Sequence, residues 1–352
     1  MDPQNLPLDL LERLSNACSV SGDEGEVRKI VLEAVQPLAD EVKVDALGNV
    51  LAIKKAHSEP ALRVMLAAHM DEVGLMIVDE EEGGLYKFEI VGGIDPRQLP
   101  GKPVWVGKDR LPGVIGARPI HLTTPEERKS AIAAESLRID LGPEGSKKAK
   151  PGDRAVFATP FKVVGPSIMG KALDDRLGVA TLIALLERAP DHLEFQAAFT
   201  VQEEIGLRGA RVAAYALNPD LAFALDATPA NDLPTWDGSE NTAYNARLGY
   251  GPAIYVADGA TLSDPRLVRF LLQIAATHQI PYQIRQPGGG GTDAGAIHRQ
   301  RSGIPSASIS VPIRHAHSAV AIARLDDWAH TINLMLHALQ ALTPDVLAPE
   351  RS

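Results

Sequence analysis

The sequence predicts an α/β protein: a three-layer α/β/α domain with a mostly parallel central sheet, interrupted by a small all-β, barrel-like domain. Two textures of the chain predict it. After Lys171, helix-period and strand-period segments alternate, the pattern of a parallel sheet covered by helices. Between Val73 and Gly165 that alternation gives way to short β-type runs separated by Gly, Pro and charged turns, the pattern of a barrel or sandwich. A chain of 352 residues, 45% of them hydrophobic, can bury the large core such a domain needs. The expected division is 1–72 and 165–352 for the α/β domain and 73–164 for the insert.

Taken in order, DLLERLSNACSVSGDEGEVRKIVLEAVQPLAD has helical apolar spacing on both sides of a Ser-Gly-Asp punctuation, which predicts two helices joined by a turn. LGNVLAIKK and RVMLAAHMD follow as strands, with Leu66 to Ala68 apolar enough to be buried on both faces. The insert contributes GLMIVDE, LYKFEIVGG, KPVWVG, GVIGAR and SLRIDLG. Beyond it, RLGVATLIALLERA reads as a helix, FQAAFTVQ as a strand, GLRGARVAAYAL as a helix and LAFALDA as a strand. LSDPRLVRFLLQIAATHQ opens on Ser-Asp-Pro, a helix start signal; PSASISVP is a strand and LDDWAHTINLMLHALQAL a terminal helix.

A formal charge of -10 disfavours nucleic acid or an anionic membrane as partner, because both reward clustered Lys and Arg. No run approaches the roughly 20 apolar residues of a membrane helix. The opening MDPQNLPLDLLERL has acidic residues where a secretory leader needs basic ones, so a cytoplasmic protein is expected. Cys18 is the only cysteine, which excludes an intrachain disulfide and a thiolate-built zinc site. Any metal must be held by His, Asp and Glu.

Such residues recur where strands end. His69 and Asp71 are two apart at the end of an apolar strand, the spacing of a metal-binding His with a carboxylate to orient its ring. Asp174 and Asp175 open a helix after a loop, and one of them can bridge two cations. Glu203 and Glu204 end FQAAFTVQ, beyond the carboxyl end of a strand, where α/β sheets present ligands. Adjacent carboxylates repel, a conflict removed if one binds metal and the other is a general base. Asp226 ends LAFALDA. His317 and His315 compete in IRHAHSAV, whereas His121 and His298 lack a strand-end context. Two imidazoles with Asp174, Glu204 and Asp226 bring three negative charges, which two dications plus a bridging hydroxide balance to about zero. Gly288 to Gly291, followed by Thr292 and Asp293, lets the backbone approach a ligand and offers free N–H groups at a helix start; the Gly-Lys-Ser or Gly-Lys-Thr ending of a phosphate loop is absent.

Together HMDEVGLMI, KALDDRLG, VQEEIGLRGA, LDATPAND, GGGTDAGAIH and the late His-Ser resemble the tetrahedral aminopeptidases, two-metal peptidases related to glutamyl and deblocking aminopeptidases. The resemblance runs in order over nearly the whole chain. It implies His69, Asp174, Glu204, Asp226 and His317 as ligands of two divalent ions (Zn2+ or Co2+, with Mn2+ as another candidate), Asp174 bridging them. It further implies Glu203 as general base, Asp71 as partner of His69, and Gly291, Thr292 and Asp293 near the substrate. The inserted β domain would mediate dimerisation, dimers would build a tetrahedral dodecamer, and the substrates would be peptides with a free N-terminus. The chain departs from the family where Pro and then Glu should follow the late His-Ser: here stand Ala319, Val320 and Ala321. Alternatives are a two-metal deacylase or carboxypeptidase-like hydrolase, or a non-catalytic peptide-binding assembly protein. Arg247, Arg285 and Arg314 are the cations that would favour acidic substrates.

Overall fold

The computed structural model describes residues 2–57, 61–234, 246–285 and 288–348. Helices α1 (Leu8–Asn16) and α2 (Gly25–Val35) each bury one apolar stripe, Leu11 and Leu14 in the first and Val27, Val31 and Val35 in the second. A hairpin of β1 (Glu41–Val44) and β2 (Val50–Lys54) leads to β3 (Leu62–His69). Six strands follow: β4 (Gly74–Glu81), β5 (Leu85–Val91), β6 (Pro103–Val106), β7 (Leu111–Gly116), β8 (Arg138–Asp140) and β9 (Arg154–Phe157). They close a barrel in the order β4-β5-β8-β7-β6-β9. The chain then runs through β10 (Lys162–Val164), β11 (Ser167–Gly170), α3 (Leu173–Glu187), β12 (Leu193–Thr200), α4 (Arg208–Leu217), β13 (Leu221–Pro229) and β14 (Ala253–Tyr255). It finishes with α5 (Pro265–Thr277), β15 (Gln283–Arg285), α6 (Ala294–Ile297), β16 (Ser306–Arg314), β17 (Ala321–Arg324) and α7 (Leu325–Ala341). Asp264 caps α5 by accepting from the Arg266 N–H, with Pro265 in the first turn, as the start signal predicts.

The large sheet is ordered β1-β2-β12-β3-β13-β16-β17-β11-β10, with β14 on β16 and β15 on β14. Its centre, β12-β3-β13-β16, is parallel, and its register sets Thr200 beside His69 and Asp226 beside Ser310. The parallel character does not extend to the flanks: β2 joins β12, and β17 joins β16, antiparallel. The outer strands are hairpins three to five residues long; β2 is legible as LGNVLAIKK, whereas β1, β10, β11 and β17 are too short for an alternation to declare them in the sequence.

Successive side chains of the central strands face opposite helical layers. Val64, Leu66, Phe195, Phe199, Phe223 and Leu225 share one core with α1, α2, α3, α5 and α7. On the other face Met65, Ala67, Ala198 and Ala222 meet Ala210, Ala213 and Ala214 of α4 and Ile297 of α6. Small side chains there let α4 approach closely: a Cβ on Gly209 would lie 2.5 Å from Val201 N. The barrel has its own core, which includes Leu75, Ile77, Tyr86, Phe88, Val106, Ile115 and Phe157. Ala319 packs into that barrel core and Ala321 opens β17, so this stretch is an apolar seam between barrel and sheet. Among the described residues, no helix is long and apolar enough to cross a membrane.

Candidate active site

Parallel neighbours point their carboxyl ends the same way, so side chains at the ends of β3, β12, β13 and β16 meet above one edge of the sheet. His69 closes β3, Glu203 and Glu204 follow β12, Asp226 lies in β13, and His317 follows β16. With Asp174, at the start of α3, they line one cavity of about 650 Å³.

Asp174 stands between the two imidazoles. Its Oδ1 is 3.2 Å from His69 Nε2 and its Oδ2 is 3.5 Å from His317 Nε2. Asp226 Oδ1 flanks His69 Nε2 at 3.7 Å, and Glu204 Oε2 flanks His317 Nε2 at 3.3 Å. Two donor sets therefore share one carboxylate. Ligand atoms of His69, Asp174 and Glu204 all lie within 4.8 Å of one another, as do those of His69, Asp175 and Asp226.

Each ring is oriented from behind. His69 Nδ1 is 3.1 Å from the Asp71 carbonyl, and His317 Nδ1 is 3.1 Å from the Gly93 carbonyl. A carbonyl can only accept, so Nδ1 carries a hydrogen in each ring, which leaves Nε2, the nitrogen facing the carboxylates, as the one that can ligate a metal once it gives up its own proton. Gly93 comes from the loop after β5, and a Cβ there would lie 3.1 Å from His317 Nδ1. The sequence reading missed it; the Gly92-Gly93 pair after a strand was its only signal.

Asp71 differs in detail from the expected ring partner. Its carboxylate is 3.6 Å from His69 Nδ1, too far for a hydrogen bond. Instead, Oδ1 accepts from the Glu203 N–H at 3.0 Å, and Oδ2 accepts from the Glu204 N–H at 3.1 Å and from Ser21 Oγ at 2.6 Å. It thus fixes the backbone that carries both glutamates. Asp175 is turned from the cavity and accepts from the N–H groups of His69 at 3.2 Å and Gly178 at 2.9 Å. His315 borders a smaller cavity behind the site, not the main one.

Gly289 to Gly291 line the cavity, and a Cβ on Gly291 would lie 2.7 Å from the Ala260 Cβ. Thr292 and Asp293 lie behind that wall, Thr292 Oγ1 at 2.6 Å from Ser308 Oγ and Asp293 accepting from Thr200 Oγ1. Of the three arginines, Arg285 is the one in the cavity lining. It donates to Thr228 Oγ1 at 3.1 Å, and its guanidinium lies 4.6 Å from the centre of the Tyr255 ring. Arg314 pairs with Asp232 at 2.6 Å, and Arg247 lies over Tyr250. His298 bonds the Ala294 carbonyl one turn back, and His121 is exposed.

The site is short of positive charge. Burial, reinforced by neighbouring carboxylates, pushes Glu203 and Asp175 well above the usual carboxylate range. The same causes push Glu204 up to about 8, Asp293 up to about 7 and Asp226 up to about 6. Burial also opposes charge on the imidazoles, but the carboxylates outweigh it and raise His69 strongly and His317 to about 10. Asp174 and Asp71 are held below their ordinary values, the contacts of Asp174 with His317 and His69 and of Asp71 with His69 overcoming burial. A crowd of hard oxygen donors with two imidazoles whose Nε2 atoms face them fits divalent cations, which would supply the missing charge.

This imbalance has a signed consequence. A carboxyl whose pKa is raised by folding stabilises the fold while protonated, and that stability is lost as pH climbs from the unfolded value through the folded one. Glu204, Asp226, Asp293 and the two histidines all act in that direction, whereas Asp174 and Asp71 act oppositely only below about pH 4. Metal-free protein is therefore expected to melt at lower temperature at about pH 8 than at about pH 5. Added Zn2+ or Co2+ should reverse the loss, and thermal denaturation at both pH values checks this.

Residues 48–334 match the M42 glutamyl aminopeptidase family. A lysyl aminopeptidase of Pyrococcus furiosus is 32% identical over 353 residues, which span 97% of this chain and 99% of that one. The aminopeptidase APDkam598 of the archaeon Desulfurococcus kamchatkensis has a similar structure, with a TM-score of 0.91 and 34% identity over 98% of this chain and 97% of that one. The TET1 peptidase of Pyrococcus horikoshii, which can assemble into a tetrahedron or a large octahedral shell, has a TM-score of 0.82 and 34% identity over 95% of this chain and 99% of that one.

Proposed function

Because the chain belongs to the M42 glutamyl aminopeptidase family, whose members are metal-dependent, we propose that it removes N-terminal residues from peptides at a dinuclear centre held by His69, Asp174, Glu204, Asp226 and His317. The observation that carries this reading is Asp174, whose two oxygens face two different imidazoles, each with its own second carboxylate. Two divalent cations on this donor set, Zn2+ or Co2+ with Mn2+ also suited, would lower the pKa of a water and polarise a carbonyl.

The chain's own residues do the rest. Glu203 is buried at the cavity wall, with its N–H held by Asp71, and acts as general base toward the attacking water. The proton it takes returns to the leaving amine. An acidic lining favours a positively charged amino terminus over an acylated, neutral one, which accounts for action at chain ends. Arg285, in the same wall, favours Glu and Asp as the residue removed.

The domain division belongs to this reading: 1–72 and 165–352 form the catalytic part, and the insert 73–164 mediates dimerisation. Dimers would build a tetrahedral dodecamer, by analogy with the TET1 shells. Ile120 and Leu122, 71% and 62% exposed beside the barrel, supply apolar surface for such contacts.

A panel of aminoacyl and N-acetylated peptides, assayed with and without a chelator, tests the proposal. Free-amino peptides should be cleaved, acidic residues ahead of basic ones, with activity abolished by chelation and restored by Zn2+ or Co2+. Equal cleavage of the acetylated set would point to a deacylase, and chelator-resistant activity would remove the cations from the reaction.

A further inference from the structure

Behind the site lies a second charged cluster that the proposed chemistry leaves unused. Glu72, Lys171 and Arg176 are buried, with relative exposures of 2%, 3% and 0%. Lys171 Nζ donates to both Glu72 oxygens, at 2.8 and 2.9 Å, and Arg176 donates to Glu72 Oε1 at 3.1 Å. The cluster reaches the backbone on every side. Glu72 accepts from the Ser19 N–H at 3.0 Å, Lys171 donates to the Ala17 carbonyl, and Arg176 donates to the Leu14, Met70 and Asp71 carbonyls. Ser19 Oγ adds a bond to the Met70 carbonyl at 2.8 Å, and Ser15 Oγ one to the Lys171 carbonyl at 2.7 Å. A cavity of about 20 Å³ is lined by residues of both, Glu72 and Lys171 from the cluster and Asp174, Glu204 and His317 from the site.

Apolar side chains of similar volume often hold a core as well as a buried ion cluster does, so packing alone gives little reason for three charges here. What the charges add is direction. Arg176 pins the carbonyls of Met70 and Asp71, and the Asp71 carboxylate presents one oxygen to the N–H of Glu203 and the other to that of Glu204. The Asp71 carbonyl that Arg176 holds is also the acceptor for His69 Nδ1.

We infer that Glu72 is a positioning residue: by gathering Lys171 and Arg176 it holds the Met70–Asp71 segment, and through Asp71 it aims Glu203 into the cavity. The inference rests on the reading of Glu203 as general base and acts entirely through Asp71. Glu72→Gln keeps the shape and removes the charge that organises the two cations. It should lower kcat about 10–100-fold, the range seen when an outer partner of a site is changed, with KM and the bound-metal count near the wild-type values. In an Asp71→Asn background the same substitution should cost less than it does alone, because the Asp71 carboxylate that carries its effect to Glu203 is already changed and only the route through the Asp71 carbonyl to His69 remains.

The measurements are kcat and KM on an aminoacyl substrate, metal content and melting temperature for Glu72→Gln, Asp71→Asn and the double variant. Should Glu72→Gln fold poorly, Lys171→Met carries the same cycle while the Glu72–Arg176 pair remains. Wild-type kcat in Glu72→Gln overturns the inference. So do losses that multiply in the double variant, a loss that tracks missing metal, or wild-type kcat in Lys171→Met where that variant stands in. If wild-type protein hydrolyses no peptide of the panel, the functional reading itself has failed, and that outcome is separate from these.

Discussion

Replacing Glu203 with Gln is expected to lower kcat by about 10²–10⁴-fold, the range for a lost acid–base group, while the protein keeps its metal and its melting temperature. The amide has the size of the carboxylate, and the anchor is unaffected, because Asp71 bonds the backbone N–H of residue 203 and not its side chain. Glu203 sits at the cavity wall among Asp226, Asp293 and Glu204, whose charges add to burial in raising its pKa. A carboxylate can take a proton from water and give it to an amine; Gln can do neither. Stopped-time assays at saturating substrate, alongside metal analysis, make the measurement. Undiminished turnover in the metal-loaded variant would take Glu203 out of the mechanism.

Asp174→Ala should have the other large effect, an abolition of both metal binding and turnover. Asp174 is the carboxylate common to the two donor sets, so its removal leaves His69 with Asp226 on one side and His317 with Glu204 on the other. Asp226→Ala, which touches one set, is expected to lose one ion and keep the other. The contrast between the variants, read by metal stoichiometry after gel filtration, separates a shared centre from two independent sites. Two tightly held ions in Asp174→Ala would rule out the bridge.

The residues that carry charge at strand ends are legible in the sequence because a buried strand is an apolar run and its terminus is where polarity returns. His69 after LRVMLAA and Asp226 within LAFALDA stand out on that ground alone. Their convergence follows from topology: β3, β12, β13 and β16 are parallel neighbours, so their ends cannot avoid meeting. Adjacent candidates are harder to separate. Asp174 and Asp175 have the same chemistry and neighbouring positions, and only the backbone path turns one carboxylate into the cavity and the other onto the N–H groups of His69 and Gly178. Of His315 and His317, both border the small cavity behind the site, and only His317 also reaches the main one.

By itself, the sequence determined the layered α/β class, the interrupting β segment, the donor types open to a metal, and the family. Periodicity and residue chemistry are local properties, and a pattern repeated along the chain suffices to read them. Tertiary structure decided the closure of the barrel, the antiparallel flanks, the Gly93 carbonyl on His317, and the Glu72–Lys171–Arg176 cluster behind Asp71. Each of these depends on groups far apart in sequence meeting within hydrogen-bond distance. Direction and distance between such groups are set by packing, and no local pattern encodes them.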